Sequence, residues 1–252
     1  KMAISPRMTI LFDNYPGLPG LESLWGFAAV FQMPERTVLF DTGSNGRVLL
    51  RNMAVLGIEP TSIDLLFLSH PHWDHIGGLD SVLELNPRMP VVVHEAFSKH
   101  LIRDLDSQCP ELIVVGKEPM QLAPGIFSTG VLDSEPPEHA MVIVLPDSVL
   151  VISGCAHPGM EAIVEHARRF LDKRADWAIG GFHLMYADSA QITRSIRSLQ
   201  DLGVRFVVPT HCTGEEAVAA FRRAYGSCCI FGGVGREIVF DKHAVSSLAT
   251  WA

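Results

Sequence analysis

Leu65-Leu66-Phe67-Leu68-Ser69-His70-Pro71-His72-Trp73-Asp74-His75-Ile76-Gly77-Gly78 is the stretch on which the reading of this chain turns. It opens as an apolar run of strand length and closes on a glycine pair. Between them stand three imidazoles and a carboxylate. Alternate residues of an extended backbone point to the same side, so His70 and His72 face one way. Asp74 and His75 come after the chain has turned and can serve a second, adjacent position. Neutral imidazole and carboxylate suit borderline divalent ions such as zinc, iron(II) or manganese. The plain alternative is a histidine-rich surface loop. Four ligand-type side chains at this spacing, at the end of a strand, point instead to a metal site.

Composition narrows the setting. The chain has 252 residues, 48% of them hydrophobic, enough for a sizeable core. Its formal net charge of −8 and the lack of a long basic run argue against a nucleic-acid partner. They leave room for a local anion site. The five cysteines, Cys109, Cys155, Cys212, Cys228 and Cys229, are odd in number and contain no C-x-x-C pair. A reduced, cytoplasmic setting is therefore expected. No apolar run approaches twenty residues, so no membrane span is expected. Residues 1–7 lack the apolar stretch of a signal peptide.

Residues 8–12, 26–32 and 37–40 read as strands, with an irregular Pro/Gly-rich loop over 13–24. The spacing of Val48, Leu49, Met53 and Leu56 predicts a helix over 47–56, stopped by Gly57. Beyond the metal loop, 79–85 and 96–105 read as helices and 91–94 as a strand. Residues 141–145 and 149–153 read as a hairpin around Pro146-Asp147-Ser148. A helix over 159–171 buries Ile163, Val164, Ala167, Phe170 and Leu171, and one over 190–202 buries Ile192, Ile196 and Leu199. Strands fall at 177–179 and 205–208. A last helix over 214–225 is expected to open on a Thr213/Glu216 capping box. Strands alternate with helices, yet the early and middle strand pairs look antiparallel. That favours an α/β (α+β) fold of sheets sandwiched between helices over one doubly wound sheet.

Three strand ends in the second half also carry histidine: Gly154-Cys155-Ala156-His157, Gly181-Phe182-His183 and Pro209-Thr210-His211. One buried histidine is usually a hydrogen-bonded core residue. Three at matching strand ends, beside the His70–His75 loop, point to one shared site.

H-x-H-x-D-H followed by Gly-Gly resembles the signature of the metallo-β-lactamase superfamily. Phe40-Asp41-Thr42-Gly43 resembles its upstream D-T-G. Asp13-Asn14-Tyr15-Pro16-Gly17, Trp25-Gly26-Phe27, Gly154–Gly159, Gly180-Gly181-Phe182-His183-Leu184 and Pro209–Gly214 resemble a subgroup. That subgroup contains the archaeal dihydropterin–ribofuranosylaminobenzene 5'-phosphate synthases and uncharacterised bacterial hydrolases. The resemblance runs from residue 8 to about residue 214. It implies a single domain over 1–252, the four-layer αβ/βα sandwich, and one or two divalent ions, zinc first, with iron or manganese as alternatives.

By this resemblance Asp74, His75 and His211 hold one ion, and His70, His72 and a further histidine hold the other. His157 is the choice for that place, and His139 is the rival, since many members have a ligand just before the strand at 141–145. Its flanks, Pro137-Glu138-His139-Ala140, do not match the usual G-H-T, so a substrate contact or a surface position is the other reading of His139. Many members have Gly-Asp where this chain has Gly154-Cys155. Cys155 is therefore either a thiolate ligand or a small buried hydrophobe. His183 is expected beside the metal or in catalysis. Asp41 is expected to orient a ligand histidine, with helix capping near Ser44 and Asn45 as the competitor. Cys212 is expected to lie just behind the ligands. Cys228, Cys229 and His243 form no convincing zinc knuckle.

The helix starts after His157 and His211 suggest an anion site. Arg194, Arg197, Arg222 and Arg223 are candidate helpers, though plain solvated faces explain them as well. Trp25, Tyr15 and Phe182 are candidates to line a pocket for a planar ring, with packing as the commoner role.

The leading expectation is a metal-dependent hydrolase of a small anionic ester, lactone or phosphoester. Asp74 would position a water or act as base, and His183 would protonate the leaving group. The alternatives are a transferase like the synthases, acting on a phosphate-bearing or pterin-like partner, and a metal-stabilised ligand-binding or regulatory protein.

Overall fold

The computed structural model describes residues 5–240. His243 lies outside them, as do residues 1–4. β1 (Arg7–Phe12), β2 (Ala28–Met33) and β3 (Arg36–Phe40) form an antiparallel meander. α1 (Gly46–Val55) leads to β4 (Leu65–Phe67), parallel to β3. α2 (Trp73–Ile76) and α3 (Leu79–Leu85) precede β5 (Val91–His94), and α4 (Lys99–Gln108) precedes β6 (Leu112–Val115), both parallel additions. β7 (Met120–Ala123), β8 (Ile126–Ser128), β9 (Met141–Val144) and β10 (Val149–Ser153) run antiparallel in a second sheet. α5 (Met160–Leu171), β11 (Trp177–Gly181), α6 (Ser189–Asp201) and β12 (Phe206–Thr210) extend that sheet in parallel. α7 (Glu215–Tyr225) follows, and β13 (Glu237–Val239) returns to pair with β1. The strand orders are β13-β1-β2-β3-β4-β5-β6 and β12-β11-β10-β9-β8-β7.

Side-chain alternation sorts each strand between two cores. Val38, Phe40, Leu65 and Phe67 from the first sheet meet Met141, Leu150, Ile152 and Ile179 from the second, in the layer between the sheets. Leu39, Leu66 and Leu68 point the other way, against Val48, Leu49, Met53, Leu79 and Val82 of the first sheet's helices. Val149, Val151 and Ala178 likewise face Ile163, Val164, Ala167, Ile192, Ile196 and Leu199. The result is helix, sheet, sheet, helix, each sheet covered on both faces. Among the described residues no helix is long and apolar enough to cross a membrane.

Several local expectations need correction. α4 begins at Lys99, not 96, because Ser98 accepts the Leu101 amide and caps it. The Thr213/Glu216 capping box does not form: Gly214 is the N-cap of α7, and the Thr213 hydroxyl instead donates to Thr210 O and accepts from the Phe182 amide. The capping box is on α6, between Asp188 and Gln191. β6, β7, β8 and β13 were absent from the sequence reading. All are short, and three of them, β6, β7 and β13, are partly exposed at sheet ends, so their apolar patterning is weak.

Candidate metal centre

Loops leaving β3, β4, β10, β11 and β12 converge where the two sheets meet at one edge. Five non-glycine residues among those described have left-handed backbone: Asp41, Ala156, Asp172, His183 and His211. All but Asp172 lie in these loops, one to three residues past a strand end. The left-handed region is disfavoured for side-chain-bearing residues, and its concentration here is what strained functional turns show. It turns the chain sharply at the strand end and swings the next side chains inward.

Two groups of ligand atoms result, each with members within 4.8 Å of one another: His70, His72 and His157, and Asp74, His75 and His211. In the second, His75 Nε2 and His211 Nε2 are 3.2 Å apart, and Asp74 Oδ2 is 3.3 Å from His211 Nε2 and 3.8 Å from His75 Nε2. The groups adjoin, with the His70 and His75 rings 4.1 Å apart at their centroids. Burial alone would raise the Asp74 carboxyl, but the His211 hydrogen bond and the charges of His75 and His211 hold it well below the usual carboxylate range.

The imidazoles are held from behind. His75 Nδ1 donates to Asp41 Oδ2 at 2.7 Å, and Asp41 also accepts the amide and hydroxyl of Ser69, each at 2.7 Å. The Ser69 hydroxyl proton is thereby committed, so its oxygen accepts from His70 Nδ1 at 2.9 Å. His211 Nδ1 donates to Asn14 Oδ1 at 2.9 Å, while buried Asp13 accepts from the Thr210 hydroxyl and the His211 amide. His157 Nδ1 donates to Glu138 Oε2 at 2.8 Å. With Nδ1 of these four rings engaged from behind, Nε2 is the atom each turns to the centre, where that of His211 also lies against Asp74 Oδ2. His75 Nε2 and His211 Nε2, 3.2 Å apart, must share a proton or a cation. His70 Nε2 is also fully buried with no hydrogen-bond partner, a costly state that a bound cation removes. The donor set therefore fits borderline divalent ions.

Gly154 lets this arrangement close. A Cβ there would lie 2.2 Å from Ser69 Oγ, 3.0 Å from Asp41 Oδ2 and 3.1 Å from His70 Nδ1.

Of the sequence-singled residues, His70, His72, Asp74, His75, His157 and His211 come together in these two groups, and Asp41 sits behind them as an orienting carboxylate. Asn45, not Asp41, caps α1, accepting the Val48 amide. Cys155 points at the centre, its Sγ 3.3 Å from His75 Nε2. His183 joins neither group; its ring is exposed at the mouth, 4.7 Å from that of His157. Burial and the neighbouring His157 lower its pKa.

His139 is neither a substrate contact nor a surface residue. It is fully buried, stacked on Phe67 at 4.2 Å, with Nε2 donating to Leu68 O and Nδ1 accepting from the Ser128 hydroxyl. Both ring nitrogens are engaged, and neither group includes it. Phe182 and Tyr15 are also packing residues, against Phe221 and Phe231. Trp25 is 39% exposed and lies over His211, centroids 4.8 Å apart. The four arginines are exposed on α6 and α7 and none joins the centre. Gly159 and Gly214 leave α5 and α7 without side-chain caps, but Glu161, Glu215 and Glu216 in the first turns already answer the helix dipoles. These helix ends alone do not make an anion cradle.

The chief omission from the sequence reading is Glu138. It is fully buried, and its oxygens accept from the Ser153 hydroxyl, the amides of Gly154, Cys155, Ala156 and His157, and His157 Nδ1. Burial alone would raise its pKa, yet His157 and the charge of His70 hold it well below the ordinary range. The signal available was a Glu beside His139, in a segment with no strand to bury it. Asp13 and Asn14 were visible only as part of a motif.

A family model for the metallo-beta-lactamase superfamily matches residues 26–211. A 7,8-dihydropterin-6-methyl-4-(β-D-ribofuranosyl)-aminobenzene-5'-phosphate synthase of Methanocaldococcus jannaschii is 31% identical, over 76% of this chain and 80% of its own. An uncharacterised protein of the same archaeon is 25% identical, over 84% and 92% of the respective chains. The crystal structure of a metal-dependent hydrolase of the β-lactamase superfamily superposes with a TM-score of 0.76 at 26% identity, covering 92% of this chain and 98% of the other.

Proposed function

The chain belongs to the metallo-β-lactamase superfamily, and on that premise we propose that it is a metal-dependent hydrolase of a small anionic ester, lactone or phosphoester. The observation that carries this is the adjoining pair of three-donor groups, in which His70, His75, His157 and His211 are each anchored through Nδ1 with Nε2 turned to the centre. His70, His72 and His157 would hold one ion, and Asp74, His75 and His211 the other. Zinc suits the donors best, with iron or manganese as alternatives.

Bound divalent ions supply an acidified water and polarise the oxygen at the scissile bond. The protein's own groups do the rest. Asp74, held ionised beside His211 and His75, would position the attacking water by accepting its hydrogen bond. His183, beside His157, would face the leaving group and give it a proton. Asp41, Ser69, Glu138 and Asn14 fix the ring orientations, so little reorganisation accompanies reaction.

The test is a metal-resolved one. Protein freed of metal and reloaded with zinc, iron(II) or manganese is assayed against phosphodiesters, phosphomonoesters and lactones. Turnover that follows metal and disappears in His183→Ala and Asp74→Asn supports the reading; two bound ions with no hydrolysis of any class would overturn it.

A second reading is transfer chemistry like that of the synthase relative. The similarity to that enzyme supports it. So does the rim: Trp25, Trp73 and Tyr186 are exposed, at 39%, 63% and 95%, Trp25 over His211, Trp73 at the start of α2 between His72 and Asp74, and Tyr186 in the loop after His183. Such faces suit a planar ring. Tight binding of a dihydropterin without hydrolysis would favour it.

A further inference from the structure

Cys155 stands between the two groups of donors. Its Sγ, with donor atoms of His70 and His75, forms a set within 4.8 Å of one another, and with His211 and Cys212 it forms another. His70 belongs to one of the histidine groups described above, and His75 and His211 to the other. The sulfur is thus in reach of ligands on both sides.

Nor does it behave as a packing residue. Cys109 and Cys229 are buried within the apolar cores, as small hydrophobic side chains usually are. Cys155 is 4% exposed yet belongs to none of the three apolar clusters, although its neighbour Ala156 does. Its direction is fixed by the backbone: its amide donates to Glu138 at 3.0 Å, and left-handed Ala156 follows at once. The side chain is aimed at imidazole nitrogens by the same loop that delivers His157.

We propose that Cys155 is a thiolate ligand shared by the two ions of a dinuclear centre. This rests on the metal-binding reading above. Ion binding displaces the thiol proton, which leaves to solvent while the sulfur keeps the electron pair it donates. A soft sulfur donor biases the centre toward zinc or iron and away from magnesium, calcium or manganese. Cys212 provides an internal control: it is equally buried, reaches only one of the two sets, and its thiol donates to Cys155 O at 3.6 Å.

The test uses the whole chain, reduced, metal-free and loaded anaerobically with cobalt(II). The expected result is a thiolate-to-cobalt charge-transfer band in the near ultraviolet that grows with both equivalents of metal. It should persist in Cys212→Ser and vanish in Cys155→Ser. A band that survives Cys155→Ser and vanishes in Cys212→Ser would overturn the assignment. So would cobalt bound to the wild-type protein without such a band; that result leaves the hydrolase reading standing, whereas no bound cobalt at all removes both. Should Cys155→Ser fail to fold, X-ray absorption of zinc-loaded Cys212→Ser decides: a sulfur neighbour at about 2.3 Å supports the proposal, and only nitrogen and oxygen neighbours at about 2.0–2.1 Å overturn it.

Discussion

Glu138 grips His157 twice: Oε2 accepts the His157 amide at 3.0 Å and its Nδ1 at 2.8 Å. One carboxylate thereby sets both the position of the loop and the orientation of the ring. Asp41 does the corresponding work on the other side, where it holds His75 and, through Ser69, His70. The two carboxylates flank strands of different sheets, Asp41 just after β3 and Glu138 shortly before β9, and each is fully buried behind the donors it orients.

Replacing Glu138 by Gln keeps the volume but turns an acceptor-only group into one that must present an NH2 to some of its five backbone and side-chain donors and the imidazole. Metal affinity at the His70/His72/His157 group is expected to fall about 10–100-fold, the usual effect of losing such a partner. Stability should fall by about 3–5 kcal/mol, as when one partner of a buried pair is removed. Zinc titration and urea denaturation of the variant check both. Unchanged affinity would mean that His157 needs no orienting carboxylate.

The double variant His72→Ala, His75→Ala should lose most bound metal by elemental analysis, since each donor group loses a member. Chelation of the wild-type protein should lower Tm, because an ion that binds only the native state adds about 2.7 kcal/mol at a hundredfold excess over Kd. Full metal stoichiometry in the double variant would refute the ligand assignment.

Gly154→Ala tests the crowding behind His70. The new methyl would overlap Ser69 Oγ, so the Asp41–Ser69–His70 chain must shift. The expected cost is about 1–3 kcal/mol, typical of overpacking, with weaker metal binding at His70. An alanine variant of wild-type stability and metal content would show the loop to be more plastic than described.

Acid should destabilise the fold through His139 and His94, which lie away from the donors. Burial, with His94 adding to it, lowers His139 to about 3, and burial lowers His94 to about 4. Both folded-state values lie below the unfolded value near 6.5. The unfolded chain therefore binds more protons below that pH, and stability falls as pH drops from about 6.5 toward 4. The slope is up to about 1.4 kcal/mol per pH unit for each group. His139→Gln should shed one proton's share of this slope in denaturation of metal-free protein between pH 7 and 4.5, and should keep its metal. A slope equal to that of the wild type would place the acid sensitivity elsewhere.

The fold was largely legible because its signals are local. The helix stripes at Val48/Leu49/Met53, Ile163/Val164/Ala167 and Ile192/Ile196/Leu199 are the buried faces of α1, α5 and α6. The edge strands β7 and β13 escaped notice because a half-exposed strand of three or four residues has almost no periodicity to detect.

At the centre, sequence alone determined the donors that share a loop. Spacing in His70–His75 dictates which side chains point together, since backbone geometry over six residues leaves little freedom. What only the tertiary structure decided is which distant groups complete them. Antiparallel pairing sets Met141 opposite Ile152, so the chain entering β9 and the chain leaving β10 meet at one place: His157 reaches His70 there, while His139 stacks on Phe67 in the core. Glu138 became a supporting carboxylate for the same reason. Burial of a charge is tolerable only where several donors converge on it, and those donors come from a loop fifteen or more residues away.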